Sequence, residues 1–340
     1  MASLKKAKPQ CKFSMETTKI NNNILISSAG KRVELVFEFQ NTLKRYFPES
    51  KVLTVDLNPE MAPACRVSDG FFKVPRVTDP KYPGVLLDIC RKNNVGLVVP
   101  TIDTELLILA RNKEVFIKEG VSLLVSDETF IKICRDKRLT NDFFVKNDIR
   151  IAEPRDKYNP VFPMFAKPYD GSLSTNIHII HDLSELTRVI LEDPKLMFME
   201  YVDKSIYKEF TVDLYYSKSN DLKCVVPRER IEIRSGEVNK GATRKNYILE
   251  YLRKRLNHIE GVIGCICLQV FFREDNNDII GIEINPRFGG GYPLSYHAGA
   301  NFQEFIIKEY FFDENVPYFD NWIDNTVMLR YDSQIIFHER

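Results

Sequence analysis

The stretch Gly281-Ile282-Glu283-Ile284-Asn285-Pro286-Arg287 is the most informative in the 340-residue chain. Residues two apart on a strand share a face, about 6.6 Å apart. Ile282 and Ile284 are therefore expected to enter a core, while Glu283, Asn285 and Arg287 face the other way. A carboxylate, an amide oxygen and a guanidinium on one face suit a metal–phosphate site. Mg²⁺ takes hard oxygen ligands and shares them with substrate phosphates, and arginine stabilises charge spread over a transferring phosphoryl group. The alternative is a solvated strand face with an exposed Glu–Arg pair. Upstream, Cys265–Phe272 and Ile279–Ile284 predict a hairpin around Asp275-Asn-Asn-Asp278, which sets Gln269 beside Glu283. Downstream, the glycines of Phe288-Gly-Gly-Gly291-Tyr-Pro permit close backbone approach to a ligand.

Other segments add to this face. Phe165-Ala-Lys167-Pro-Tyr-Asp-Gly171-Ser172-Leu173-Ser174-Thr-Asn176 reads as a strand bearing a lysine, then a small-residue hairpin whose amides can cradle phosphate oxygens. A plain β-hairpin is the other reading. Met197-Phe-Met-Glu200-Tyr201-Val202, followed by Glu209 and Asp213 on the next strand, can present groups to a ribose and an adenine edge, or can be two core strands. Between them and the hairpin runs a basic segment with Arg228, Arg230, Arg234, Lys240 and Arg244. Arg228, Arg230, Glu232 and Arg234 alternate and so share a strand face, suited either to an anionic carboxylate or to solvated Arg–Glu pairs. His297 reads as a structural residue rather than a general base. Asp182, with Glu185 three residues on, has the spacing of a capping box for a helix over 182–192.

The first half alternates strands and helices: Ile24–Ser28, Val33–Tyr46, Lys51–Asp56, Tyr82–Asn93, Val95–Pro100, Leu106–Lys118 and Val121–Val125. Such alternation implies a parallel sheet with right-handed crossovers. Ligands bind such sheets at strand ends, here Ser27, Ser28 and Gly30, then Asp56, then Thr101, Asp103 and Glu105. Helix caps and turns are the alternative for each. No Gly-x-Gly-x-x-Gly is present, which argues against a dinucleotide site.

The order Asp136-Lys137, Lys167 with its Gly/Ser loop, Glu200-Tyr201-Val202, Glu209, Gln269 and Glu283-Ile-Asn285-Pro-Arg287 resembles the ATP-grasp superfamily, in its carbamoyl-phosphate-synthase-like and carboxylate–amine ligase branch. The likeness spans about residues 22–325. It implies a Rossmann-like α/β domain at 22–125 and a two-lobed ATP-grasp domain at 126–330, with a nucleotide lid near 160–202 and a C-terminal tail at 331–340. It also implies roles. Lys137, Lys167, Gly171, Ser172 and Ser174 would hold the ATP phosphates. Glu200, Tyr201 and Val202 would form the adenine hinge, and Glu209 would hold the ribose. Gln269, Glu283 and Asn285 would bind Mg²⁺, with Mn²⁺ as an alternative ion. Arg287 would be catalytic together with Lys167. Arg228, Arg230 and Arg244 would meet the acid, and Asp103 and Glu105 would meet a free amine. The implied reaction activates a small carboxylate as an acyl phosphate, releases ADP and joins the acyl group to an amine or ammonia. Leu173 and Asn176 stand where the family's loop carries further glycines. Two rival readings remain open: a phosphotransferase of carbamoyl-phosphate type, and a catalytically silent nucleotide-binding protein. A homodimer is common in related enzymes.

The formal charge of +1 and 28% charged residues argue against a nucleic-acid partner. The seven cysteines form no Cys-x-x-Cys pair and read as reduced, small apolar residues. Residues 1–21 carry five lysines and no apolar core, and are expected to be a disordered tail rather than a signal peptide. No apolar run reaches the ~18 residues of a membrane span, so a cytoplasmic location is expected.

Overall fold

The computed structural model describes residues 21–170 and 176–338. Gly171, Ser172, Leu173 and Ser174 lie outside the described residues.

The N-terminal unit runs β1 (Asn23–Ser27), α1 (Val33–Tyr46), β2 (Val52–Asp56), α2 (Pro63–Val67), β3 (Phe71–Lys73), α3 (Tyr82–Lys92), β4 (Val95–Pro100), α4 (Asp103–Lys118) and β5 (Ser122–Leu123). The strands form one parallel sheet in the order β3-β2-β1-β4-β5. Strand order reverses between β1 and β4, and the crevice beyond their carboxyl ends is where such sheets bind ligands. Alternate residues divide the sheet between two cores. Leu25, Val55 and Val98 pack with α3 and α4 residues such as Leu86 and Leu109. Ile24, Ile26, Leu97 and Val99 join Phe39 of α1 in a core that continues into the second half of the chain. The two halves are thus fused by apolar burial rather than by a linker.

Helices α5 (Glu128–Arg135) and α6 (Lys137–Lys146) follow, each N-capped by an aspartate, Asp127 accepting from the Phe130 amide and Asp136 from the Arg138 amide. Next come β6 (Arg150–Ile151), β7 (Met164–Pro168), β8 (His178–Ile180), α7 (Arg188–Glu192) and β9 (Leu196–Glu200). Strands β8-β7-β9 make a small antiparallel sheet with its own core of Met164, Ala166, Ile180, Leu196 and Phe198. The remainder is β10 (Lys208–Tyr216), β11 (Leu222–Arg234), β12 (Glu237–Thr243), α8 (Tyr247–Arg255), β13 (Gly264–Arg273), β14 (Asp278–Asn285), α9 (Pro293–His297), α10 (Phe302–Phe311) and β15 (Val327–Leu329). These strands, with β6, form a seven-stranded sheet in the order β15-β12-β11-β10-β13-β14-β6. The lysine of β7 therefore faces the β13–β14 hairpin across a cleft between the two sheets.

Three local expectations are corrected. The helix expected over 182–192 starts only at Arg188, because Asp182 bonds the Ser184 amide and Glu185 reaches back to the His181 amide. These side chains close a turn in competition with the helix, and Thr187 caps α7 instead. Ile282 is half-buried rather than in the core. Gln269 opposes Glu283 while Val270 opposes Gly281, so Ile282 is the extra residue of a β-bulge and turns toward the cleft. In β11 a second bulge at Ile231 breaks the alternation. Arg228 and Arg230 keep one face, whereas Glu232 and Arg234 are exposed and pair with Lys240 and Asp332.

Candidate active site

A cavity of about 670 Å³ lies between the small sheet, the β10–β14 surface and the crevice of the N-terminal sheet. Its metal-type cluster is built by strand register. Antiparallel pairing of β13 with β14 sets Gln269 directly opposite Glu283 and Cys267 opposite Asn285. Glu283 Oε1 accepts from Gln269 Nε2 at 2.9 Å and from Asn285 Nδ2 at 3.1 Å. Just beyond the strand, Arg287 Nη2 lies 3.5 Å from Asn285 Oδ1. The four groups expected to converge do so.

Lys167 on β7 lines the same cavity. Burial lowers its ammonium from the ordinary 10.5 to about 8; the Glu283 carboxylate opposes the shift and the nearby Lys137 charge assists it. Lys137 is the first residue of α6 and is held there by its amide, which donates to the Tyr169 carbonyl. Arg138 of the same turn lies 3.7 Å from the Tyr169 ring, a second tie between α6 and the end of β7. At the end of β9, Glu200, Tyr201 and Val202 line the cavity. The Glu200 amide is engaged by the Glu153 carbonyl at 2.8 Å, and its carboxylate pairs with Arg150, also at 2.8 Å. Glu209 faces the cavity from β10 and holds Arg230 Nε at 2.9 Å.

Asp103, at the start of α4, brings the N-terminal unit into the site. Its Oδ2 accepts from Arg287 Nη2 at 2.7 Å and from Nε at 3.1 Å. Burial works against the Arg287 charge, but Asp103 outweighs it and the net shift is upward. Asp103 is therefore the partner of the arginine expected to be catalytic. Glu105 is a correction. It is fully buried and does not line the cavity. Its carboxylate accepts from the Thr101 amide at 2.8 Å, Tyr82 Oη at 2.8 Å, Ser28 Oγ at 3.0 Å and the Ile102 amide at 3.2 Å. It ties α4 to the strand ends.

Among the expected acid-binding arginines, Arg228 and Arg230 reach the cavity wall. Arg228 is buried and grips Asp213 through Nε at 2.7 Å and Nη2 at 2.9 Å, while Ser295 and Cys267 complete that carboxylate's shell. This shell also accounts for the buried Asp213, Cys265 and Cys267 trio, whose ligand-type atoms lie close together. Arg244 is a second correction: it pairs at 2.7 Å with Glu229, which points away from Arg228 and Arg230, and does not line the cavity. His297 is exposed and also lies outside the cavity.

Sequence reasoning missed Arg32 and Glu237, which line the cavity, and Arg330, which pairs with Glu237 at 2.7 Å. Arg32 follows β1, two residues past Gly30, so the reversal of strand order was the available signal. The Gly289–Gly291 turn packs against protein side chains. A Cβ on Gly291 would lie 2.3 Å from Arg228 Nη1, and one on Gly290 would lie 2.7 Å from Arg32 Nη1. No disulfide joins the described cysteines, which are mostly buried. No helix among the described residues is long and apolar enough to cross a membrane.

A parallel-sheet unit followed by a small sheet and a large, mostly antiparallel sheet around one cleft is the ATP-grasp architecture. Residues 24–124 match the family model described as PylC-like, N-terminal domain, and residues 192–327 match ATP-grasp in the biosynthetic pathway with Ter operon. The chain belongs to the ATP-grasp superfamily. Among solved structures it is similar to N5-carboxyaminoimidazole synthetase from Staphylococcus aureus complexed with ADP, with 16% identity, 90% of this chain and 79% of that chain covered, and a TM-score of 0.66. The biotin carboxylase domain dimer of Hydrogenobacter thermophilus 2-oxoglutarate carboxylase, in complex with MgADP, ADP and bicarbonate, gives 11% identity, 89% and 72% coverage, and 0.66. The L-amino acid ligase from Bacillus licheniformis gives 15% identity, 85% and 74% coverage, and 0.62. No curated protein matches the chain significantly in sequence.

Proposed function

We propose that this chain is an ATP- and Mg²⁺-dependent ligase that phosphorylates a small carboxylate, releases ADP and passes the acyl group to an amine or ammonia. One observation carries the reading: Gln269, Glu283, Asn285 and Arg287 converge on a nucleotide-sized cavity opposite the half-buried Lys167.

The residues fit Mg-ATP. Gln269, Glu283 and Asn285 offer hard oxygens of the kind Mg²⁺ takes, and Mn²⁺ accepts the same set. The two amides now donate to Glu283, and a half-turn of each places its oxygen beside the carboxylate. When bound, Mg²⁺ would neutralise charge on the phosphate oxygens. A single carboxylate among three ligands leaves the ion under-neutralised by protein, so its affinity would depend on the nucleotide's phosphates. Lys137 and Lys167 would hold those phosphates. Lys167 is already desolvated, so its attraction for an anion is little screened. Backbone groups of Glu200 to Val202 would meet the adenine, with the Glu200 amide excluded because Glu153 occupies it, and Glu209 would meet the ribose. Arg287, steadied by Asp103, would neutralise the transferring phosphoryl group and the acyl phosphate. The small sheet, with its separate core, would close over the nucleotide and exclude water from the reactive acyl phosphate.

The L-amino acid ligase among the similar structures favours acids and amines of amino-acid size. The test is ADP and inorganic phosphate release from Mg-ATP with pools of amino acids and other small acids. Ligation frees phosphate, whereas a phosphotransferase leaves it on the product and a silent binding protein makes no ADP. Arg287→Ala is expected to abolish turnover while MgADP still binds. Undiminished turnover in that variant would remove the mechanism.

A further inference from the structure

Arg32 has no part in the nucleotide chemistry above, yet it lines the cavity. It follows β1 at the strand-order reversal, while Asp103 follows the adjacent β4, so the two side chains flank one crevice. Three other arginines at this end already have partners. Arg287 is held by Asp103 at 2.7 Å, Arg228 by Asp213 at 2.7 Å and Arg330 by Glu237 at 2.7 Å. The Arg32 guanidinium makes no hydrogen bond or ion pair among the described residues. Burial and the Arg287 charge work against its charge, while the Glu237 carboxylate, already paired with Arg330, favours it in part. An arginine at neutral pH stays charged, so Arg32, Arg228, Arg287 and Arg330 outnumber Asp103, Asp213 and Glu237 by one charge, with Glu283 left to the metal. The adjoining turn brings its backbone close to Arg32 and to Glu237 together: a Cβ on Gly290 would sit 2.7 Å from both Arg32 Nη1 and Glu237 Oε2.

We propose that Arg32 anchors the acid substrate, forming with Arg287 and the Gly289–Gly291 turn a pocket for a single carboxylate. This rests on the ligase reading and names the class of acid: one with no second negative charge at that end. The surplus of one cation is neutralised by one carboxylate. A second carboxylate or a phosphate would be buried without a counter-charge, which a desolvated site penalises strongly. Arg32 thus selects the acid while Lys137 and Lys167 serve the nucleotide, and the two sets of cations divide the cavity.

The experiment compares the wild-type protein with Arg32→Gln and Arg32→Lys. ADP release is followed with neutral amino acids and hydroxy acids as monocarboxylates, with succinate and glutarate, and with phosphoglycerate. Monocarboxylates should support turnover. Losing one charged hydrogen-bonded contact should raise the acid KM roughly 30- to 100-fold in Arg32→Gln, with the KM for ATP unchanged and Arg32→Lys between the two. Preference of the wild-type protein for a dicarboxylate or a phosphorylated acid overturns the proposal, as does an unchanged acid KM or an equal rise in the KM for ATP. If no acid supports ADP release although MgADP binds, the ligase reading fails, and thermal stabilisation by the same monocarboxylates then decides the Arg32 assignment. Stabilisation of the wild-type protein that is lost in Arg32→Gln supports the anchor, and its absence from the wild-type protein overturns it. Removing a desolvated cation that makes no hydrogen bond or ion pair among the described residues should not lower the melting temperature of Arg32→Gln. Should that variant fail to fold, Arg32→Lys carries the test through its acid KM.

Discussion

Replacing Lys167 by methionine should make the protein more stable at neutral pH and less able to hold nucleotide. Burial lowers the Lys167 ammonium from 10.5 to about 8, Glu283 opposing and Lys137 assisting. A depression of that size costs the folded state on the order of 3 kcal/mol while the group is protonated in both states. Lys167 is only half-buried, and solvent screening reduces this to roughly 1–3 kcal/mol. Methionine keeps the unbranched stem and removes the charge, so Lys167→Met should melt a few degrees higher at pH 7. The sign reverses the usual lysine case. The folded state releases its proton near pH 8 and the unfolded chain only near 10.5. The unfolded chain thus binds more protons between those values, and wild-type stability rises with pH across that window. The advantage of Lys167→Met is therefore full below pH 8 and fades above it. Thermal and urea unfolding from pH 6.5 to 9.5 reads the difference directly. MgADP should stabilise the wild-type protein clearly more than the variant. A variant less stable than wild type at pH 7, or a difference constant across the range, would refute the argument that Lys167 is a desolvated cation kept for phosphate.

Asp103→Asn keeps a polar group against Arg287 but removes the charge that holds it. Acyl phosphate formation should slow roughly 10- to 100-fold with little change in the KM for ATP, as steady-state kinetics would show. Asp213→Ala strands the buried Arg228 without its partner and should cost about 3–5 kcal/mol in urea unfolding. Arg244→Ala removes a partly exposed pair with Glu229 outside the cavity. It should cost under ~1 kcal/mol and leave the acid KM unchanged.

The end of the site proposed for the nucleotide was legible because one hairpin writes it. Gln269, Glu283 and Asn285 are placed by period-2 alternation and one antiparallel register, so their spacing in the sequence already contains their geometry. Even there a single-residue bulge escaped notice, because nothing in the composition of Ile280-Gly-Ile282 marks which residue is extra. The parallel sheet was legible from its alternation of apolar strands and amphipathic helices. The short elements α2, β3 and β15 were not, since a five-residue helix or a three-residue strand carries no usable period. Two residues expected to meet substrate were misplaced for specific reasons. Arg244 follows Arg228 and Arg230 in a basic run, but side chains on opposite faces of a sheet can share a run. Glu105 reads as a strand-end acid, yet its four donors are backbone and hydroxyl groups brought together only by the fold.

The end proposed for the acid was illegible for a different reason, and it bears on how activity and selectivity would divide along the chain. Asp103 and Arg287 are 184 residues apart, and Arg32 meets the Gly289–Gly291 turn from the opposite half of the fold. No local pattern encodes such a meeting; it depends on the apolar core that α1 shares with the large sheet. Metal and phosphate chemistry can therefore stay constant within the β13–β14 hairpin and β7, while the residues just after β1 and β4 change the acid. On this argument a substitution after β1 alters which acid is used without touching ATP. One in the hairpin abolishes turnover with every acid alike. Asp103 is the exception that joins them, because it carries the N-terminal unit's hold on Arg287, the arginine proposed to serve both ends.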